Sequence, residues 1–351
     1  MKRFLTFLAL LLMIFSCKKE NKITDSELVS ISKIDTLYHD SISIRALTIK
    51  DSEVWFAGSN GKYGAINFET HKIFRGRIQF DTIFPEFRSI ASNKEEIFIM
   101  SVASPGLLYK ISNDKKVTKL VYQENGEKVF YDSMQFIDNS SGFAMGDPVE
   151  NCLNVIKTED GGKNWSKINC DVLPKVEDGE AAFAASNTNL IIRNNTIFML
   201  SGGKKSRCFV SEDLGKTWNV YDTPIIQGET MTGIFTADFY NDKIGIVAGG
   251  NYENQTDNST NKAITTDGGK TWKLIAKNKG FGYASCIQFV PNTEGKEIMC
   301  AGGTGIYYSK NFGEDWKKIH EAKNIYTFRF LNDSIAFAAG RNNVLRINLK
   351  K

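Results

Sequence analysis

The sequence predicts an all-β fold assembled from repeated four-stranded units, and three observations predict it. A short turn motif occurs four times and holds four of the five tryptophans. Alternating apolar runs, punctuated by Gly, Asn and Asp, follow one another along the chain, which is the pattern of half-buried strands joined by tight turns. Stretches with helical spacing are scarce.

The motif is clearest at Thr265-Thr266-Asp267-Gly268-Gly269-Lys270-Thr271-Trp272. Earlier copies are Thr158-Glu159-Asp160-Gly161-Gly162-Lys163-Asn164-Trp165 and Ser211-Glu212-Asp213-Leu214-Gly215-Lys216-Thr217-Trp218. The most altered copy is Ser309-Lys310-Asn311-Phe312-Gly313-Glu314-Asp315-Trp316. The tryptophans lie 53, 54 and 44 residues apart, a period that marks an array of small supersecondary units. The chemistry is that of a hairpin. A hydroxyl residue leaves one strand, Asp bonds the backbone of the turn, Gly supplies positive φ, and Trp enters the next strand facing inward. Asp160, Asp213 and Asp267 therefore read as turn formers and not as catalytic acids.

These residues resemble the Asp-box, or bacterial neuraminidase, repeat of sialidases, sortilin-type receptors and the photosystem II stability/assembly factor family of β-propellers. Further segments resemble the secreted bacterial relatives of that last group. They are Gly146-Asp147-Pro148, Gly179-Glu180-Ala181-Ala182-Phe183-Ala184-Ala185-Ser186, Gly249-Gly250-Asn251-Tyr252 and Gly302-Gly303-Thr304-Gly305. The likeness covers roughly residues 40 to 351. It implies a propeller fold, and because one fold hosts many functions it implies little about activity.

From the start, Met1-Lys2-Arg3 is a basic head and Leu5–Phe15 an apolar run too short to span a bilayer. Ser16-Cys17 then resembles a bacterial lipobox. This predicts a signal peptide over 1–16, lipidation of Cys17 and a polar tether over 17–30; an ordinary signal peptide with an incidental Cys is the alternative. The mature chain is expected to be lipid-anchored in a bacterial cell envelope, periplasmic or surface-facing. The formal net charge is +4, with acids and bases interspersed, so no nucleic-acid partner is expected.

Residues 31–351 are expected to form one domain, an all-β, seven-bladed propeller closed by an N-terminal strand. Units begin near Ile44, Phe87, Phe130, Ala181, Gly233 and Tyr283. The seventh, Tyr326–Leu349, shows three strands, and Ser32–Tyr38 can supply its fourth, which removes open edges. The domain then averages about 46 residues per unit, within the roughly 40–50 of propeller blades. Eight blades is the alternative count.

Five cysteines remain after Cys17. Cys152 and Cys170 are symmetric about the first box hairpin, and Cys286 and Cys300 about the loop at Thr293. Each pair can be bridged across two strands or left as free thiols. Cys208 has no evident partner. His39, His71 and His320 are scattered, so no metal and no cofactor is expected.

Box turns join the third and fourth strands of a unit, so the loops between second and third strands share the opposite face with the links between units. That face carries the candidate site. Arg45, Arg88 and Arg329 each lie near the start of an innermost strand, in units that closure makes adjacent, and are expected to converge on an open channel mouth. Arg207, Glu180, Asp147, Tyr252 and Tyr283 lie on the same face, as do Asp132 and Asp178. Converging guanidinium groups suit carboxylate or phosphate; pairing with neighbouring acids is the bland alternative. Two functions fit: a monomeric binding or assembly scaffold for a protein or glycan ligand, or a sialidase-like glycoside hydrolase acting on an acidic sugar. The Arg-Ile-Pro signature that precedes sialidase boxes is absent, so no catalytic role is assigned.

Overall fold

The computed structural model describes residues 29–351. The expected signal peptide, Cys17 and nearly all of the expected tether lie outside the described residues. Strands, turns and irregular links make up the described chain, all strand pairs being antiparallel. The fold is an all-β propeller.

The strands form six hydrogen-bonded sheets, two of six strands and four of four. This corrects the expectation of seven separate blades. The reason lies in two long strands. Ser30–Lys50 pairs with Ile335–Lys350 along Ser30–Ser43, then continues and pairs with Glu53–Gly58 along Ile44–Lys50. Ile335–Lys350 in turn pairs with Ile325–Phe330. The first and last units are thereby fused into one six-stranded sheet, and the chain ends are stitched together inside it. The second six-stranded sheet gains its extra pair from Glu180–Ala181 and Gly202–Gly203.

Aromatic rings fill the space between neighbouring sheets. Phe98 stacks on Phe136 at 4.7 Å and Phe198 on Phe239 at 3.6 Å, the two rings of each pair coming from different sheets. The fully buried rings, Phe98, Phe198 and Phe239, contribute about 1.5–3 kcal/mol each. The box turns pack into the same seams. Gly162, at φ +80°, lies against Phe98, and a Cβ there would meet the ring at 2.3 Å. Glycine is thus required both by the turn and by the close approach.

The boxes act as turn clasps. Thr158 Oγ1 donates to Asp160 at 2.9 Å and accepts the Gly162 N–H at 3.0 Å. Asp160 also accepts the N–H groups of Lys163 and Asn164 at 3.0 Å. Those backbone donors, led by Asn164 and Thr217, hold Asp160 and Asp213 down at about 2. In the fourth copy Asn311 takes the Asp position, accepts the Asp315 N–H at 3.0 Å and donates to the Asp315 carboxylate at 3.0 Å. The indole N–H of Trp218, Trp272 and Trp316 closes each clasp on the carbonyl of the box glycine.

Cys152 and Cys170 are disulfide-bonded across the first box hairpin, with a Cα separation of 5.7 Å. Cys286 and Cys300 are free and buried, so that bridge is corrected. A bulge between Ala284 and Cys286 slips the register by one, placing Cys286 opposite Ala301 and Ile287 opposite Cys300. The two thiols consequently enter different apolar clusters on opposite faces of the sheet. Cys208 is also free and buried.

Candidate functional site

The central channel is not open. Ala182–Asn189 leaves the wall and crosses the axis, as its hydrogen bonds show. Arg45 Nη1 donates to the Ala185 carbonyl at 3.0 Å and Ser186 Oγ to the Ser285 carbonyl at 2.6 Å. Thr327 Oγ1 donates to the Ser186 carbonyl at 3.2 Å. Asn187 donates to the Ile90 carbonyl and accepts the Met134 N–H, both at 2.8 Å. Thr188 bonds the Thr236 hydroxyl at 2.7 Å, and its carbonyl accepts the Ala237 N–H at 2.8 Å. A segment that touches six innermost strands can lie only at the axis. Small side chains allow this, and Asn187 tolerates the positive φ of 60° at the sharp bend. The innermost strand of that unit is therefore Leu190–Arg193, not the run from Ala181.

Six innermost strands also carry a bulge near the start. The residues left unpaired are Arg45, Arg88, Asp132, Phe235, Ser285 and Tyr326. A bulge re-aims its side chain, and here each re-aimed residue belongs to the ring around the plug. Arg45 lies over the Tyr326 ring at 4.3 Å, which ties two neighbours of the ring together.

Above the plug is a cavity of about 370 Å³. It brings together five of the expected site residues: Arg45, Arg88, Asp147, Tyr252 and Tyr283. Phe183 from the plug stacks on Phe235 at 3.9 Å, Tyr283 meets Phe235 edge-on at 4.9 Å, and Tyr252 meets Tyr283 edge-on at 5.1 Å. The result is a blind pocket with one aromatic wall, one cationic wall and a carboxylate. Among the described residues Arg45 has no ion-pair partner, whereas Arg88 pairs with Glu86 at 2.8 Å.

Two acids adjoin Arg88. Asp147 accepts the Ala182 N–H at 2.7 Å, and burial pushes its carboxyl up to about 6. Asp132 is fully buried with both carboxyl oxygens unpartnered. Burial first, and then the Asp147 charge, hold Asp132 far above the usual carboxylate range. Tyr283 is buried too, and that burial pushes its hydroxyl up to about 12.

Four residues expected on this face lie outside the mouth pocket. Arg329 does not join Arg45 and Arg88; the residue equivalent to them is the bulged Tyr326. Arg329 instead lies under the plug, donating to the carbonyls of Ser186, Asn187 and Phe328, and lines a second cavity of about 310 Å³ with Arg193 and Asp238. Arg207 and Glu180 bind each other in a buried, two-pronged ion pair at 3.0 and 2.5 Å, outside the mouth pocket. Ser201 and Lys175 complete that cluster. Asp178 is exposed near Lys204 at 3.8 Å. Sequence reasoning missed Phe183, Phe235 and Tyr326. The run Ala182–Ser186 was the one visible signal for the plug, and bulges leave none.

The BNR/Asp-box repeat family model matches residues 263–274, the third box and its flanking strands. The resemblance to Asp-box propellers is thus shown by sequence as well as by fold. No curated protein matches the chain in sequence. Among solved structures, "YCF48 bound to D1 peptide" is similar at TM-score 0.64 and 15% identity, covering 91% of this chain and 97% of that one. YCF48 from Cyanidioschyzon merolae gives 0.65 at 11% identity, with 90% and 98% covered. U3-55K gives 0.65 at 12% identity, with 91% and 99% covered. Likeness at these identities carries the fold alone.

Proposed function

We propose that the protein is a lipid-anchored binding scaffold of the cell envelope, whose mouth pocket holds a segment of a partner protein. The observation that carries this reading is the blind pocket above the plug, where Arg45, Arg88, Asp147, Tyr252 and Tyr283 meet a wall of stacked rings. Its size lies within the roughly 300–1,000 Å³ of ligand sites, and its mix of rings and a few charges suits amino-acid side chains and a carboxylate. The peptide-bound YCF48 neighbour supports a protein ligand over a glycan. The lipid anchor rests on Ser16-Cys17, and Cys17→Ala abolishing lipid labelling is the expected result; continued labelling contradicts it.

The test is a thermal-shift screen of the full chain with acidic peptides, sialic acids and phosphorylated sugars. A ligand at about 100 times its Kd stabilises by about 2.7 kcal/mol. Peptides are expected to shift the wild type and not the Arg45→Ala/Arg88→Ala protein. A shift with sugars alone contradicts the reading.

One observation favours a second reading, a glycoside hydrolase. Asp147 lines the mouth pocket with Arg88, and burial raises its carboxyl to about 6, as suits an acid/base group. Against it, the buried Tyr283 hydroxyl is a poor nucleophile and Glu180 is locked to Arg207. Turnover of a sialoside by the wild type, lost in Asp147→Asn, would establish it.

A further inference from the structure

The plug divides the channel, and no residue lines both the mouth pocket and the cavity of about 310 Å³ beneath it. Ser92 and Arg193 line the lower cavity from the ends of their innermost strands. Those ends lead into turns on the same face as the box turns, so the cavity opens on that side, away from the mouth.

Two features of the lining point to a ligand. The first is charge. Arg193, Arg329 and Asp238 are the charged residues of the cavity, which leaves one positive charge in excess. Asp238 is already held: Oδ1 accepts Arg193 Nη2 at 2.7 Å and the Phe239 N–H at 2.9 Å, and Oδ2 accepts the Phe289 N–H at 2.9 Å. Arg329 gives its Nη donors to neutral acceptors, the Thr327 hydroxyl at 3.0 Å and the carbonyls of Phe328, Ser186 and Asn187 at 2.7, 3.0 and 3.3 Å. It has no ion-pair partner among the described residues. A half-buried guanidinium without a carboxylate favours an arriving anion.

The second feature is a set of idle polar side chains. Thr48, Ser92 and Gln288 line the same cavity, and none of these side chains has a hydrogen-bond partner among the described residues. Hydroxyl and amide groups both donate and accept, so they match the hydroxyl groups of a ligand. The volume is at the lower end of the roughly 300–1,000 Å³ of ligand sites, which suits a small molecule.

We propose that the lower cavity binds a small hydroxylated monocarboxylate, its carboxylate at Arg329 and its hydroxyl groups at Thr48, Ser92 and Gln288. A single negative charge matches the excess, whereas a dicarboxylate would overcompensate it. This site lies across the plug from the mouth pocket and does not depend on the scaffold reading.

The test is calorimetric titration of the full-length protein with glycerate and gluconate. Sorbitol, which lacks the carboxylate, and hexanoate, which lacks the hydroxyl groups, are the controls. One of the two hydroxy acids is expected to bind, and each control at least about tenfold more weakly. Ser92→Leu fills the cavity without removing a hydrogen bond of the chain, and is expected to weaken binding by about tenfold or more. Arg329→Gln is expected to do the same. The Arg45→Ala/Arg88→Ala protein is expected to bind as the wild type does, which separates this site from the mouth. No binding of either acid up to about 10 mM overturns the inference. So does binding that Ser92→Leu leaves unchanged, or a control that binds as well as the acids. Each of those results leaves the mouth reading standing.

Discussion

Replacing Asn187 by alanine tests whether the plug holds the ring together. Its side chain joins two innermost strands, donating to the Ile90 carbonyl and accepting the Met134 N–H, both at 2.8 Å. Losing two neutral hydrogen bonds costs about 1 kcal/mol each. The residue sits at φ 60°, where alanine adds about 1 kcal/mol of strain. The expected loss is about 3 kcal/mol for Asn187→Ala and about 2 for Asn187→Gly, which tolerates the dihedral but lacks the bonds. Urea unfolding of both variants measures this, with the midpoint falling more for Ala than for Gly. Loss under 1 kcal/mol in the alanine protein refutes the reasoning, since the plug would then be a passenger in a ring closed by other contacts.

Removing one partner of the buried Glu180–Arg207 pair, as in Glu180→Ala, is expected to cost about 3–5 kcal/mol in thermal unfolding, because it strands a buried guanidinium. Asp147 has its folded pKa raised to about 6 from 3.8, so its contribution to stability is fully present below about 3.8 and is lost as pH rises through about 6. The wild type should therefore lose about 2–3 kcal/mol relative to Asp147→Asn between about pH 4 and 7, and parallel pH profiles contradict it. Opening the 18-residue loop closed by Cys152–Cys170, through Cys152→Ser/Cys170→Ser, is expected to cost about 3 kcal/mol in urea, and an unchanged midpoint contradicts that bridge.

Much of the fold was legible because strand alternation and box turns are local. The hydroxyl, Asp and Gly of each box must sit within a few residues to make their clasp, so the spacing betrays the hairpin. The pairing of the chain ends was also legible, since Tyr326–Leu349 offered one strand too few. What escaped depends on register and on the path across the axis. Arg329 looked equivalent to Arg88 because both follow a phenylalanine, but the bulge at Tyr326 sets the true alignment, and a one-residue slip leaves no mark in composition. The same slip separates Cys286 from Cys300. Ala182–Asn189 reads as a weak strand, and only its bonds to six other strands reveal a plug. Mouth residues supplied by loops, Tyr252 and Asp147, were found because loop position follows from strand order.

The central claim is that the mouth pocket holds a protein segment, and site-directed photocrosslinking in the native cell tests it most directly. A photoreactive residue at Tyr252, exposed beside the mouth, is compared with one at Phe312, exposed on a box turn of the opposite face. The account predicts a discrete protein adduct at 252, lost in the Arg45→Ala/Arg88→Ala background and absent at 312. No adduct at 252, or the same adducts at both positions, would contradict it.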